Sequence, residues 1–164
     1  MKAAKGRKKK VYLEFTGDVR QDDLLIGSHG NTDIKIKGNF QLAGVIYCPK
    51  YTITLDINGE GRISFRGKCH RIVIKKMQGD CFLDLTEVTY KELHCQSLRG
   101  KSVVVAGNAR AITPAILSDD AILHVSEKQL IFNPVTSGNS KILTIPNDPL
   151  PEIITTLIPS DFET

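Results

Sequence analysis

Short runs in which apolar and polar residues alternate recur along this chain from Val11 to Val125. Thr52, Thr54 and Asp56 alternate with Ile53, Leu55 and Ile57, and Arg62, Ser64 and Arg66 alternate with Ile63 and Phe65. A period of two sends one set of side chains to each side of a strand. The runs therefore predict short β-strands with one side buried. No segment holds a 3.6-residue period, so almost no helix is expected.

The strands also repeat. Gly38, Gly59, Gly79 and Gly100 are separated by 21, 20 and 21 residues, and each lies between two short apolar strands. Glycine takes positive φ at no steric cost and so suits the corner between strands. One strand series runs Ile34 and Ile36, Ile53 and Leu55, Ile72 and Ile74, Leu93 and Cys95. A second runs Ile63 and Phe65, Leu83 and Leu85, Val103 and Val105, Leu123 and Val125, each step being 20 residues. Phe40 and Leu42 head this second series, with a few residues inserted between Tyr47 and Tyr51. An antiparallel sandwich would also place strands every 8–12 residues, but it sets no register at every twentieth position. A β-solenoid does, because equivalent residues of successive coils stack about 4.8 Å apart. The expected fold is all-β: a right-handed, parallel β-helix with about 20 residues per coil. Five to six coils would form a stack of roughly 25–30 Å.

Boundaries follow from where the repeat starts and fades. Residues 1–10 read as a basic, disordered arm, residues 11–132 as the solenoid, and residues 133–164 as a proline-rich cap or tail. Val11 to Phe15 is a natural first strand. The last segment holds five of the seven prolines and two apolar patches, Ile142 to Ile145 and Ile153 to Ile158. Proline denies a stretch the central positions of a ladder. Such a segment could lie over its own last coil, add an edge strand to another subunit, or serve as a loose linker.

Charge changes the picture at the N-terminus. Of the 22 Lys and Arg residues, Lys2, Lys5, Arg7, Lys8, Lys9 and Lys10 fall in the first ten positions, leaving 16 basic and 18 acidic residues in the body. Nucleic acid is therefore not an expected partner of the folded part, where a basic stripe would be needed. Lys8, Lys9 and Lys10 could meet an anionic surface, including a membrane, or simply be solvated. No apolar run has the length of a spanning helix or of a signal region. A cytoplasmic location is expected on that reading, and the cell envelope or surface if a leader has been removed.

Two resemblances bear on the fold. Asn58-Gly59-Glu60-Gly61-Arg62-Ile63-Ser64-Phe65-Arg66-Gly67 places a G-x-G doublet before a short alternating strand and another glycine. This resembles the adhesin-head, GIN-type β-helix domain, and Gly107 to Arg110 and Asp119 to Val125 are similar to that family's later repeats. The resemblance implies a right-handed β-helical domain without known catalytic residues. A weaker likeness is to the bactofilins, cytoskeletal β-helices that polymerise end to end. The short glycine-bounded units, Lys8-Lys9-Lys10 and the proline-bearing tail carry it.

The titratable residues give little chemistry. His70 adjoins Cys69 and His94 adjoins Cys95, but neighbours on a strand face opposite ways and cannot form a dyad. Cys48, Cys69, Cys81 and Cys95 have no CxxC spacing, so zinc is not expected and buried, reduced thiols are. Asp80 and Asp84 share a side of one strand, yet lie about 13 Å apart, too far for one catalytic pair. Asp119-Asp120 reads as a turn. No enzyme activity, cofactor or metal is expected. The outward Arg62, Arg66, Arg71, Lys75 and Lys76 either bind a polyanion or acidic glycan, or guard the sheet against edge-to-edge pairing. The functions expected are thus a structural or binding module of the adhesin-like, surface-associated kind, or a polymer-forming scaffold. The partner would be an unidentified protein or glycan, with self-association possible through the coil ends or the C-terminal segment.

Overall fold

The computed structural model describes residues 10–126, 129–131 and 134–145. Nine strands form one sheet: β1 (Val11–Gly27), β2 (Thr32–Thr89), β3 (Glu92–Leu98), β4 (Val103–Val105), β5 (Ala111–Leu117), β6 (Ile122–Ser126), β7 (Leu130–Ile131), β8 (Pro134–Thr136) and β9 (Lys141–Ile145). Every pairing between them is parallel. A straight strand of 58 residues, the length of β2, would reach roughly 190 Å. Instead β2 winds nearly three times around the axis and supplies both β3 and β4 with partners at different points along its course. The result is a β-solenoid of about six turns with close to 21 residues per turn and, among the described residues, no helix.

Alternation decides which side chains enter the tube. Ile34, Ile36, Leu55, Ile57, Ile72 and Ile74 are buried, whereas Lys35, Lys37 and Lys75 are exposed. The register stacks like on like: Leu13 on Ile34, Phe15 on Ile36, and Ile72, Leu93, Ile112 and Ile131 in one column. Each fully buried Ile or Leu contributes about 1.5–3 kcal/mol relative to exposure. Tyr90 enters the interior as well, and its hydroxyl donates to the Ala106 carbonyl. The coils after it carry small inward residues, Ala106, Ala109 and Ala115, all buried. Alanine there leaves room for the ring.

The glycine corners form a column. A Cβ on Gly38 would lie 2.4 Å from the Gly17 carbonyl oxygen, and a Cβ on Gly59 would lie 2.0 Å from that of Gly38. Gly79 and Gly100 continue the column. All five have positive φ, which favours glycine at each, and at Gly38, Gly59, Gly79 and Gly100 the close approach of the neighbouring coil adds a second demand. Asp119 takes the next place with φ 57°. Its Oδ2 accepts the Gly100 N–H at 3.0 Å, and its carbonyl accepts the Asn139 N–H at 2.8 Å.

Two expectations shift. In the second strand series Leu83 pairs with Val104, not Val103, and Val104 with Leu123. Val104 and Ala106 are buried, while Val103 and Val105 are half-buried on the outer side. One coil of 21 residues is followed by one of 19, so the two deviations cancel in a count of twenties. The ladder also passes residue 132: β8 pairs with β5 and β9 with β6. The first part of the proline-bearing segment is therefore another coil, with Pro134 exposed on it. The patch Ile153 to Ile158 and the arm residues before Lys10 lie outside the described residues.

Candidate functional site

The basic residues expected on the outer side take different partners. Arg62 stacks on the Phe82 ring, 4.3 Å from its centroid, on the stretch that pairs with β4. Arg71 lies on the stretch that pairs with β3 and reaches Glu92 at 3.6 Å. Glu92 also binds His94 at 3.1 Å. Lys75 flanks a shallow hollow of about 170 Å³ beside Tyr12, Asp33, Lys35 and Asp56. Its two lysines and two aspartates offset each other. Arg66 is exposed and Lys76 half-buried. Of the arm residues, only Lys10 is described, and it pairs with Asp33 at 3.2 Å.

The nucleophiles are also placed. All four cysteines are free and buried. Burial pushes the Cys95 thiol up to about 12, and burial together with the neighbouring Cys48 pushes Cys69 up to about 12. Cys81 is raised by burial, and by Asp80 beyond that, against a lowering contact to the Ser102 hydroxyl. Thiols held protonated are poor nucleophiles. Asp84 accepts the Thr86 N–H at 2.9 Å and the Thr86 hydroxyl, which makes it a turn acid. Among the described residues no group of three His, Cys, Asp or Glu side chains could hold a metal ion.

A cleft of about 470 Å³ lies where the ladder breaks between β1 and β2. Its floor is the bend at Gly27, Ser28 and His29; its walls are Tyr47, Pro49, Lys50 and Tyr51 of the coil above. The local sequence explains the break. Ser28 turns inward, where its hydroxyl donates to the Gly30 carbonyl at 2.7 Å and contacts the Thr32 hydroxyl at 3.0 Å. Across the gap, Asn31 Oδ1 accepts the Thr52 N–H at 3.0 Å, so a side chain replaces the missing ladder bond. Ile46 and Cys48 point inward and are buried, which turns Tyr47 out at 61% exposure. The insertion between Tyr47 and Tyr51 was visible in the sequence as a lapse of the repeat. The signal that it builds a cleft was an outward aromatic in a chain with 6% aromatics and no tryptophan.

No family model, curated protein or solved structure matches this chain.

Proposed function

We propose that this chain is a non-enzymatic structural module that binds a partner on the outside of its coils, in the manner of an adhesin-like, surface-associated domain. The cleft beside Tyr47 is the observation that carries this reading. It combines an exposed aromatic ring and polar groups on a rigid wall, which is the composition of a recognition site. Burial holds the Cys69, Cys81 and Cys95 thiols protonated, and Asp84 is occupied by the Thr86 N–H and hydroxyl. Immobilised intact chain should retain a ligand from a panel of polysaccharides and peptides and release it with unchanged mass. A ligand recovered cleaved or covalently altered would overturn the proposal.

A second reading, a bactofilin-like scaffold, draws on the first coil. Leu13, Phe15, Val19 and Leu24 point toward the core yet are only half-buried, and Leu25 is 78% exposed. Among the described residues β1 pairs with β2 alone, which leaves one of its edges without a described partner strand. Sedimentation across a hundredfold range of concentration, with negative-stain microscopy, tests it. Growth into longer particles supports end-to-end assembly; one fixed small particle throughout would sink it. Contact of Lys8, Lys9 and Lys10 with an anionic membrane belongs to either reading. Salt-sensitive co-sedimentation with phosphatidylserine vesicles, lost in a triple Lys→Gln variant, is the expected result.

A further inference from the structure

The cleft between Gly27 and Tyr51 has a chemistry that narrows what fits it. Tyr47 is 61% exposed. The apolar ring of Pro49 and the bare backbone of Gly27 line the same space. Lys50 and His29, both exposed, add a cation and a hydrogen-bonding imidazole, and among the described residues no carboxylate lines the space. The volume of about 470 Å³ suits one or two six-membered sugar rings, within the range of small-ligand sites.

Ile26 and Gly27 pair with Ile46 and Tyr47 at the edge of the cleft, which fixes Tyr47 on the ladder. A sugar ring needs no sheet edge. It presents an apolar C–H face to an aromatic ring and directs its polar groups sideways. An acidic sugar places its carboxylate within the field of a lysine that faces no competing acid in the cleft.

We infer that this cleft binds a uronic-acid-containing glycan, with a sugar ring on Tyr47 and its carboxylate on Lys50. The inference rests on the binding-module reading above and names its ligand. It places the site at a coil corner rather than on the basic residues Arg62, Arg66, Arg71, Lys75 and Lys76.

Amide spectra of the ¹⁵N-labelled intact chain, titrated with trigalacturonate, maltotriose and triglutamate, test it. Trigalacturonate should cause saturable shifts at Gly27, His29, Tyr47, Lys50 and Tyr51. Tyr47→Ala should weaken its binding at least about tenfold, the mark of an anchoring aromatic. Lys50→Gln should remove the preference over maltotriose. Both side chains are exposed, so both variants should keep the wild-type melting temperature. Equal binding of triglutamate would overturn the inference, since charge alone would then suffice; so would an unaltered affinity in Tyr47→Ala. Saturable shifts that map to another outer face would remove this site and leave the binding-module reading standing. No saturable shift with any of the three probes would overturn the inference, and the polysaccharide and peptide panel would then decide the wider reading by itself.

Discussion

Asp119 is the one residue other than glycine with positive φ among the described residues, and it stands in the glycine column. Its carboxylate compensates for the conformation by accepting the Gly100 N–H, a role short polar side chains suit. The column sets a graded expectation. Gly17 has φ 94° but nothing within 4 Å of an added Cβ, so Gly17→Ala should cost only about 1–2 kcal/mol of backbone strain. Gly59 has φ 146° and would drive its Cβ to 2.0 Å from the Gly38 carbonyl oxygen. Gly59→Ala should exceed the first cost and reach about 4 kcal/mol or prevent folding, a size reserved for direct overpacking and strain. Denaturant midpoints of the two variants check the order, and equal midpoints would refute the stacking. A second expectation concerns the thiols. Cys69 and Cys95 are raised from 9.0 to about 12, so in alkali the unfolded chain loses its protons first. Their contribution is full below about pH 9 and is lost as pH rises toward about 12. Tyr90, raised well above 10.0 by burial and then by Cys95 and Cys69, acts in the same direction. Stability measured from pH 8 to 11 should fall, and Cys95→Ala should flatten the fall.

At the scale of the element, Tyr90 links two coils. It ends the run after β2, and its hydroxyl reaches the backbone beyond β4. Tyr90→Phe leaves the ring and removes the donor, with an expected cost of about 1–3 kcal/mol. Tyr90→Ala empties the space that Ala106 and Ala115 leave, with an expected cost of about 3–5 kcal/mol. Thermal unfolding of both variants measures the difference. The strands themselves were legible because alternation is a local property: inward Ile53, Leu55, Ile63, Phe65, Leu83 and Leu85 are all buried. The corners were legible because positive φ calls for glycine. Register was less so. The coil is already 21 residues long from Arg71–Glu92 to Met77–Leu98, and Val103-Val104-Val105 offers an inward valine in either phase. Only the pairing of Leu83 with Val104 decides between them. The cleft was hidden for a related reason. It forms where the repeat lapses, and a lapse shows that residues leave the ladder without showing where Tyr47 and His29 meet. The partners of the basic residues were not legible either, since sequence alone did not reveal that Arg62 stacks on Phe82 while Arg71 reaches Glu92.

For the whole molecule, each coil touches only its neighbours, so stability resembles a sum of coils and the seams between them. Amide exchange should be slowest in the central coils, from Ile53 to Cys95, and fastest in β1 and β9, which have a described neighbour on one side alone. Uniform protection along the stack would contradict that. The unequal coils also bear on joining. Val11 pairs with Thr32 across 21 residues, whereas Ile122 pairs with Lys141 across 19. The described coils therefore shorten along the axis, and the first and last of them differ by two residues. A copy seated head to tail would set a smaller ring on a larger one, two residues out of phase. Every joint in such a fibre would be a flaw repeated at the length of one molecule. Under shear it should snap at whole-number multiples of that length, leaving the coils between the breaks intact.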